Sequence, residues 1–346
     1  RDNMNPEEAY ESAKINGPEE NTRKIACEDP EYAYLYGIEI DKGFHEDISN
    51  ALFNTEYEEK YIEFLMDQSK KAYEYALKNG PDEQTRNIVC RYIYYAYEYA
   101  KNIDKGPRED TRKAACKRSY LAYSYALDVD KCPREDTREA VCKELYLAYS
   151  YAKNVDKGPN RDTRKAACED SYYAYVYAKD IDKGPKKETR KAACQNPYYA
   201  YLYAIEIDKC SKEDTREAVC KSPEYAYFYA KNVDKGPRKN TREAACQDSY
   251  YAYEYAKSID RCPREDTREA ACKSPYIAYL YAKDVDMCSR NDTRRIACKS
   301  AEYAYYYAKY IDQGPRESTR QAACKNPEHA YKYALNIDKC ARKDTR

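Results

Sequence analysis

One motif recurs along this chain at a fixed interval of 26 residues, and that interval constrains the fold more than any other feature. The Ala of its Ala-Tyr core falls at Ala96, Ala122, Ala148, Ala174, Ala200, Ala226, Ala252, Ala278, Ala304 and Ala330. A period of this size marks a repeat architecture, in which each unit buries its apolar face only by stacking on its neighbours. The 346 residues would otherwise imply two or three domains. As an array they read as one elongated, all-α body, an α-solenoid of tandem helix-turn-helix repeats. At ~9 to 10 Å per stacked repeat its length is on the order of 100 Å. The hand of the superhelix is not legible. Three segments are expected: irregular repeats over 1–43, an insertion helix and a short repeat over 44–86, and the regular array over 87–346.

Each regular copy divides into a longer and a shorter helix. The longer starts at Ser-Pro, as at Ser222-Pro223-Glu224 and Ser274-Pro275, with Ser as cap and Pro at the first helical position. Gly-Pro, as at Gly236-Pro237, is its expected stop. Tyr225, Ala226, Tyr229, Ala230 and Val233 share one face and form the expected core stripe. The position of Phe228 varies among Glu98, Ser124, Val176, Leu202, Tyr306 and Lys332, and is assigned to solvent. The shorter helix is expected to begin at Asp214-Thr215-Arg216, with Asp214 as cap and Glu217 completing a capping box. Its Ala-Ala-Cys or Ala-Val-Cys end supplies the buried side.

The first 86 residues are less regular. Ala9 to Ala33 and Ala72 to Ala96 are 24-residue steps, and the intervening step is 39. The 24-residue copies end in Asn16-Gly17-Pro18 and Asn79-Gly80-Pro81 without the Ile/Val-Asp pair, so their long helices should stop about half a turn early. The insertion, from Phe44 to about Lys71, carries Leu52, Phe53, Tyr57, Tyr61, Phe64 and Leu65 at helical spacing. It reads as one extra amphipathic helix, either a lid over the core or a docking surface; the need of terminal repeats for a cap favours the lid.

Three residues recur outside the expected core stripe. They are a Tyr (Tyr123, Tyr149, Tyr175, Tyr201, Tyr227, Tyr253, Tyr279), an Asp seven residues on (Asp130, Asp156, Asp182, Asp208, Asp234, Asp260, Asp286) and the Arg of Thr-Arg (Arg138, Arg164, Arg190, Arg216, Arg242, Arg268, Arg294). Asp234 stands near a helix C-terminus and Arg242 near a helix N-terminus, each against the dipole, so the two are expected to pair. The structural reading is a ladder tying neighbouring loops, with the Arg over the Tyr ring. The binding reading is a Tyr-rich concave groove for a peptide, glycan or other chain. Constancy from copy to copy favours structure, or a partner that is itself repetitive.

Sixteen cysteines fall into two sets. Eleven close the short helix, from Cys27 to Cys324, and are expected to be buried thiols acting as small apolar groups. Five replace the loop Gly: Cys132, Cys210, Cys262, Cys288 and Cys340. Equivalent positions in adjacent repeats lie ~9 to 10 Å apart, beyond disulfide reach, so internal bridges are not expected and a reducing compartment, cytoplasm or virion, is the default. The loop set is the candidate for cross-links to another chain.

Other classes are disfavoured. Lys plus Arg and Asp plus Glu both number 61, giving no electrostatic footprint for nucleic acid or a membrane surface. No apolar run reaches membrane-spanning length, and mean hydropathy is −1.07. His45 and His329 fit no metal spacing, and His329 stands where other copies carry a core Tyr. No nucleophile, phosphate or redox motif occurs, so neither enzyme, metal nor cofactor is expected. Asn291-Asp292-Thr293 matches a glycosylation acceptor but reads as a variant helix cap. Charge transfer along 44 tyrosines is disfavoured because repeats at ~9 to 10 Å do not by themselves bring rings together.

At Tyr-Ala-Tyr-x-Tyr-Ala-x-x-Val-Asp-Lys-Gly-Pro-x-x-Asp-Thr-Arg-x-Ala-Ala-Cys the chain resembles uncharacterised short helical repeat arrays of predicted bacterial, phage and large-virus proteins. The resemblance covers Cys90 to Arg346 well and the first 86 residues loosely. It implies a two-helix solenoid and a viral or phage origin, with no activity attached. The leading expectation is a non-enzymatic scaffold that assembles head to tail with itself or joins another structural protein, as in a filament or virion appendage. This rests on the ends: the chain stops at Arg346 where a short helix should begin, leaving the last core face uncovered, and residues 1–30 are themselves a repeat suited to cover it in the next molecule. The alternative is a soluble adaptor that binds a protein or peptide along its Tyr-rich face. Variation on that face would favour the adaptor.

Overall fold

A computed structural model describes residues 4–340 and 342–343, and all regular structure among them is helical. The repeat is visible in any 26-residue copy. The short helix Glu213–Val219 ends at Cys220, and a tight turn leads to the long helix Pro223–Tyr229. Ser222 caps that helix, its Oγ accepting from the Tyr225 N–H, and Pro223 follows at the first position. Asp29, Asp170, Asn196, Asp248, Ser274, Ser300 and Asn326 cap their copies in the same way. The fold is the expected α-solenoid of helix-turn-helix repeats.

The end of the long helix departs from expectation. After Tyr229 the backbone widens into a π-helical turn, Ala230–Asp234, and the left-handed residue that stops it is Lys235 (φ 54°, ψ 35°) rather than glycine. The Gly236 N–H reaches back to the Ala230 carbonyl at 3.1 Å. Gly236 itself has no positive φ, and a Cβ built on it would meet nothing within 4 Å. The glycine of Gly-Pro is therefore not conformationally required, which is why Cys132, Cys210, Cys262, Cys288 and Cys340 stand in its place. In the 24-residue copies the helices Pro6–Asn16 and Glu58–Asn79 run to their ends without the π turn. They stop on Gly17 (φ 88°) and Gly80 (φ 92°), a backbone region that favours glycine. The missing pair of residues is thus the π turn.

The start of the short helix also differs. It begins one residue before Asp214, and its flanking residue, Lys212, makes no side-chain cap. Asp214 lies inside the first turn and accepts from the Thr215 N–H at 2.9 Å, so neither the expected Asp cap nor the capping box with Glu217 forms. Asn291, likewise, begins its helix rather than capping it.

Two compact units make up the chain, Arg1–Ala166 and Ala167–Arg346. Within each, small residues bring helices together and tyrosines fill the space between copies. One cluster, typical of the second unit, joins Tyr227 and Ala230 to Ala245, Tyr255 and Ile259 of the next copy. Tyr255 is fully buried there, and each such ring removes ~150 to 250 Å² from water.

In the first unit the insertion is not a single amphipathic helix. A short helix, Glu46–Leu52, is followed by a break in which Asn54 is left-handed, and then by the 22-residue helix Glu58–Asn79. Ile48, Leu52, Tyr61 and Leu65 pack with Ala13, Ala26, Ala33 and Tyr36, whereas Phe53 is 66 % exposed. Farther along the same long helix, Ala72 and Ala76 pack with Val89, Tyr99 and Ile103. One helix thus serves two successive cores. The Tyr61 hydroxyl accepts from the His45 N–H (3.0 Å) and donates to the Gly43 carbonyl (2.9 Å), the role of the core Tyr in regular copies. The insertion is a diverged repeat fused to the next one.

Candidate protein-binding face

The recurring polar residues close on one another. In the second unit the partner of Asp234 is Arg216 rather than the expected Arg242: Arg216 Nη2 stands 2.8 Å from the carboxylate, tying the short helix to the end of the following long helix. Arg190 holds Asp208, Arg242 holds Asp260 at 2.5 Å, Arg268 holds Asp286 at 2.5 Å and Arg294 holds Asp312 at 2.7 Å. In the first unit Arg112 holds Asp130 (2.8 Å) and Arg138 holds Asp156 (2.7 Å). Arg164 belongs to the first unit and Asp182 to the second. The Asp side chains of these pairs are nearly all buried, and the hydrogen bond to the carboxylate raises the arginine pKa further above its ordinary value.

The tyrosine of this clamp is not the expected one. Arg190 lies over Tyr203, Arg242 over Tyr255 and Arg268 over Tyr281, with the guanidinium 5.6–5.7 Å from the ring centroid. These are equivalents of Tyr229, two residues beyond the position of Tyr227. The Tyr229 hydroxyl accepts from the Lys212 N–H (3.0 Å), donates to the Lys212 carbonyl (3.1 Å) and lies 2.8 Å from Thr215 Oγ1. It therefore satisfies the first turn of the short helix, the task expected of Asp214.

The tyrosines of the expected ladder lie in the packing between copies. Tyr175, Tyr227, Tyr253 and Tyr279 are buried, and Tyr123, Tyr149 and Tyr201 are half-buried. Tyr175 donates to Glu206 at 2.5 Å and accepts from Lys179 at 3.1 Å; Tyr253 bonds Asp284 and Lys257 in the same way. Tyr123 and Tyr201 accept instead from Asn154 (2.8 Å) and Asn232 (2.9 Å). Burial and the Asp284 bond push the Tyr253 phenol up to about 12, while the Lys179 and Tyr175 bonds hold Glu206 below the usual carboxylate range. The position of Phe228 is half-buried rather than solvent-facing, because Phe228 lies against Tyr201 and Tyr227 at 6.2 and 5.3 Å. Within the second unit, ring follows ring from Tyr172 to Tyr253 at 5.0–6.5 Å, contrary to the expectation that repeat spacing keeps them apart. The bridging rings come from different positions in successive copies, which the repeat spacing alone does not convey.

What remains open is a row that the repeat pattern does not single out. Tyr120 and Tyr146 in the first unit, and Tyr172, Tyr198, Tyr250 and Tyr276 in the second, stand in the first turn of their long helices and are 41–63 % exposed. Their hydroxyls make no hydrogen bond among the described residues. Each ring in the second unit leans on a neighbour: Tyr172 on Tyr199 (5.7 Å), Tyr198 on Tyr225 (5.5 Å), Tyr276 on Tyr303 (5.2 Å). Glu224 and Glu302 occupy the same position in other copies. That exchange of Tyr for Glu was the available signal, since a buried position would not accept both.

Among the described residues no two cysteines are joined in a disulfide. The short-helix set is half-buried rather than buried, and desolvation still pushes these thiols up to about 11 or 12, as at Cys220 and Cys194. Cys210, Cys262, Cys288 and Cys340 are exposed and Cys132 is half-buried. Among the described residues no group of three or more His, Cys, Asp or Glu could hold a metal ion, and no helix is long and apolar enough to cross a membrane. No protein-family model matches the chain, and no curated protein matches it either.

Proposed function

We propose that the chain is a non-enzymatic binding scaffold whose exposed tyrosine row docks an extended, proline-rich segment of another protein. The observation that carries this reading is the contrast between tyrosine positions: the clamp and most of the ladder consume their hydroxyls internally, whereas the first-turn row offers both ring and hydroxyl to a partner. Tyrosines of this kind give large, rigid contact area at low entropic cost. Long helices of successive copies pack at ~8 to 10 Å. A polyproline II strand advances ~9 Å per three-residue turn, so one prolyl contact per repeat stays in register. Glu224, within the row of the second unit, suits a basic residue in that strand.

The test is fluorescence polarisation with a labelled polyproline peptide carrying one central Lys, against the full chain. Saturable binding is expected, weakened roughly tenfold or more when Tyr172, Tyr198, Tyr250 and Tyr276 are replaced by Ser, since buried aromatic contacts dominate such interfaces. These side chains are exposed, so the helical content should not change. Absence of binding, or equal binding by the Ser variant, would overturn the reading. A second reading, assembly of copies into a filament or larger particle, draws on the exposed thiols Cys210, Cys262, Cys288 and Cys340. Light scattering with and without reductant tests it: reductant-sensitive growth in mass supports assembly, and a single monomeric mass at every concentration removes it.

A further inference from the structure

Short helix stacks on short helix from Glu20–Ala26 to Glu46–Leu52, and again from Glu83–Arg91 to Glu109–Ala115, but the long helix Glu58–Asn79 comes between the two pairs. A cleft of about 1050 Å³ opens there, walled by the loop 42–44, the middle of Glu58–Asn79 and the helix Glu83–Arg91. This volume is at the upper end of that used for small-molecule sites.

Its lining is unlike the rest of the molecule. Ser69 is 1 % exposed, yet its Oγ has no hydrogen-bond partner. A buried hydroxyl left unpaired is costly unless something else completes it. Gly43 is the loop glycine with neighbours on its open side: a Cβ there would stand 3.7 Å from Gln68 Oε1 and 3.9 Å from Arg91 Nη1. Arg91 and Lys42 have no ion-pair partner among the described residues. Lys71 is taken by Asp67 at 2.6 Å. The acid of the lining, Asp82, is also engaged, accepting from both the N–H and the hydroxyl of Thr85 at 2.8 Å. The open charge is therefore positive, and Phe44, Leu65 and Ile88 add an apolar wall.

We infer that this cleft binds a small organic oxyanion, its carboxylate or phosphate held by Arg91 and Lys42, its apolar body against Phe44, Leu65 and Ile88, and a polar atom paired with Ser69. The guanidinium fork suits either oxyanion.

Calorimetric titration of the full chain with benzoate, phenyl phosphate, inorganic phosphate and benzyl alcohol tests this. Saturable binding of benzoate or phenyl phosphate is expected, and none of the neutral alcohol. Arg91→Gln, at an exposed side chain, should weaken that binding roughly tenfold, the effect of losing one charge-assisted contact. Ser69→Ala should weaken it several-fold while the thermal midpoint holds or rises, because the variant removes an unpaired buried hydroxyl. Failure of both organic anions to bind, or binding unchanged in both variants, would overturn the site. Inorganic phosphate binding as tightly as phenyl phosphate would overturn the role of the apolar wall.

Discussion

Tyrosine outnumbers phenylalanine 44 to 4, and the phenol hydroxyl explains the preference position by position. In the clamp, the Tyr229 hydroxyl completes the backbone of Lys212 and meets Thr215, in a place where the ring is fully buried. A phenylalanine there would preserve the ring and strand the Lys212 N–H, while the Thr215 hydroxyl would keep the Lys212 carbonyl as its only partner. Tyr229→Phe is therefore expected to destabilise the chain by ~1 to 3 kcal/mol, the cost of buried groups left unpaired. Tyr276→Phe, at an exposed ring whose hydroxyl has no internal partner, should change stability by less than about 0.5 kcal/mol. Denaturant unfolding of the two variants makes the comparison, and equal midpoints would show that the clamp hydroxyl contributes nothing. The same distinction limits what the sequence disclosed. That the recurring Asp and Arg residues pair was legible, because each opposes a helix dipole, although the expected partner of Asp234 was Arg242 and the structure gives it Arg216. The choice of Tyr229 over Tyr227 was not legible, because both recur at the same interval and only the tertiary packing separates the hydroxyl that meets Thr215 from the one that meets Glu254.

At the scale of the element, the 26-residue period, the division into two helices and the early stop of the 24-residue copies were all readable, since caps, prolines and apolar spacing are local signals. The π turn was not. Val-Asp-Lys-Gly-Pro carries the glycine and proline of an ordinary stop, yet the left-handed residue is Lys235, one position earlier. The insertion was misread for a related reason: its apolar residues keep helical spacing across the break at Asn54, so periodicity alone runs two helices together. The π turn makes a sharp prediction about two glycines. Gly236→Ala places a methyl in open space on backbone that any residue adopts, so it should stabilise by ~0.4 to 1 kcal/mol through the unfolded chain. Gly80→Ala, at φ 92°, should destabilise by ~1 to 3 kcal/mol. Thermal midpoints that move in the same direction for both would contradict the assignment of the stop to Lys235 and its equivalents.

Over the whole molecule these repeated details add up, because each unit is built from copies that lean on their neighbours and stability in such arrays sums over repeats and their interfaces. Buried phenols give that sum a pH dependence. Desolvation, the largest cause, raises the pKa of clamp tyrosines in both units, among them Tyr125, Tyr151, Tyr203, Tyr255 and Tyr281, and pushes Tyr61 and Tyr279 up to about 12. An unfolded phenol ionises near 10. Between that value and the folded one the unfolded chain has already released protons that the folded chain retains, so stability falls as pH rises. The contribution is fully present below about 10 and is lost as pH climbs through the folded values. A tenfold tighter hold on one phenolic proton in the folded chain corresponds to ~1.4 kcal/mol. With that preference repeated in many copies, the helical signal should collapse between roughly pH 10 and 12 in one steep step, together with a rise in tyrosinate absorbance. Circular dichroism and absorbance recorded on the same alkaline titration decide the matter. If the full tyrosinate signal develops while the helices persist, the phenols are not sealed by the stacking of copies, and the clamp does not hold the array together in the way its geometry implies.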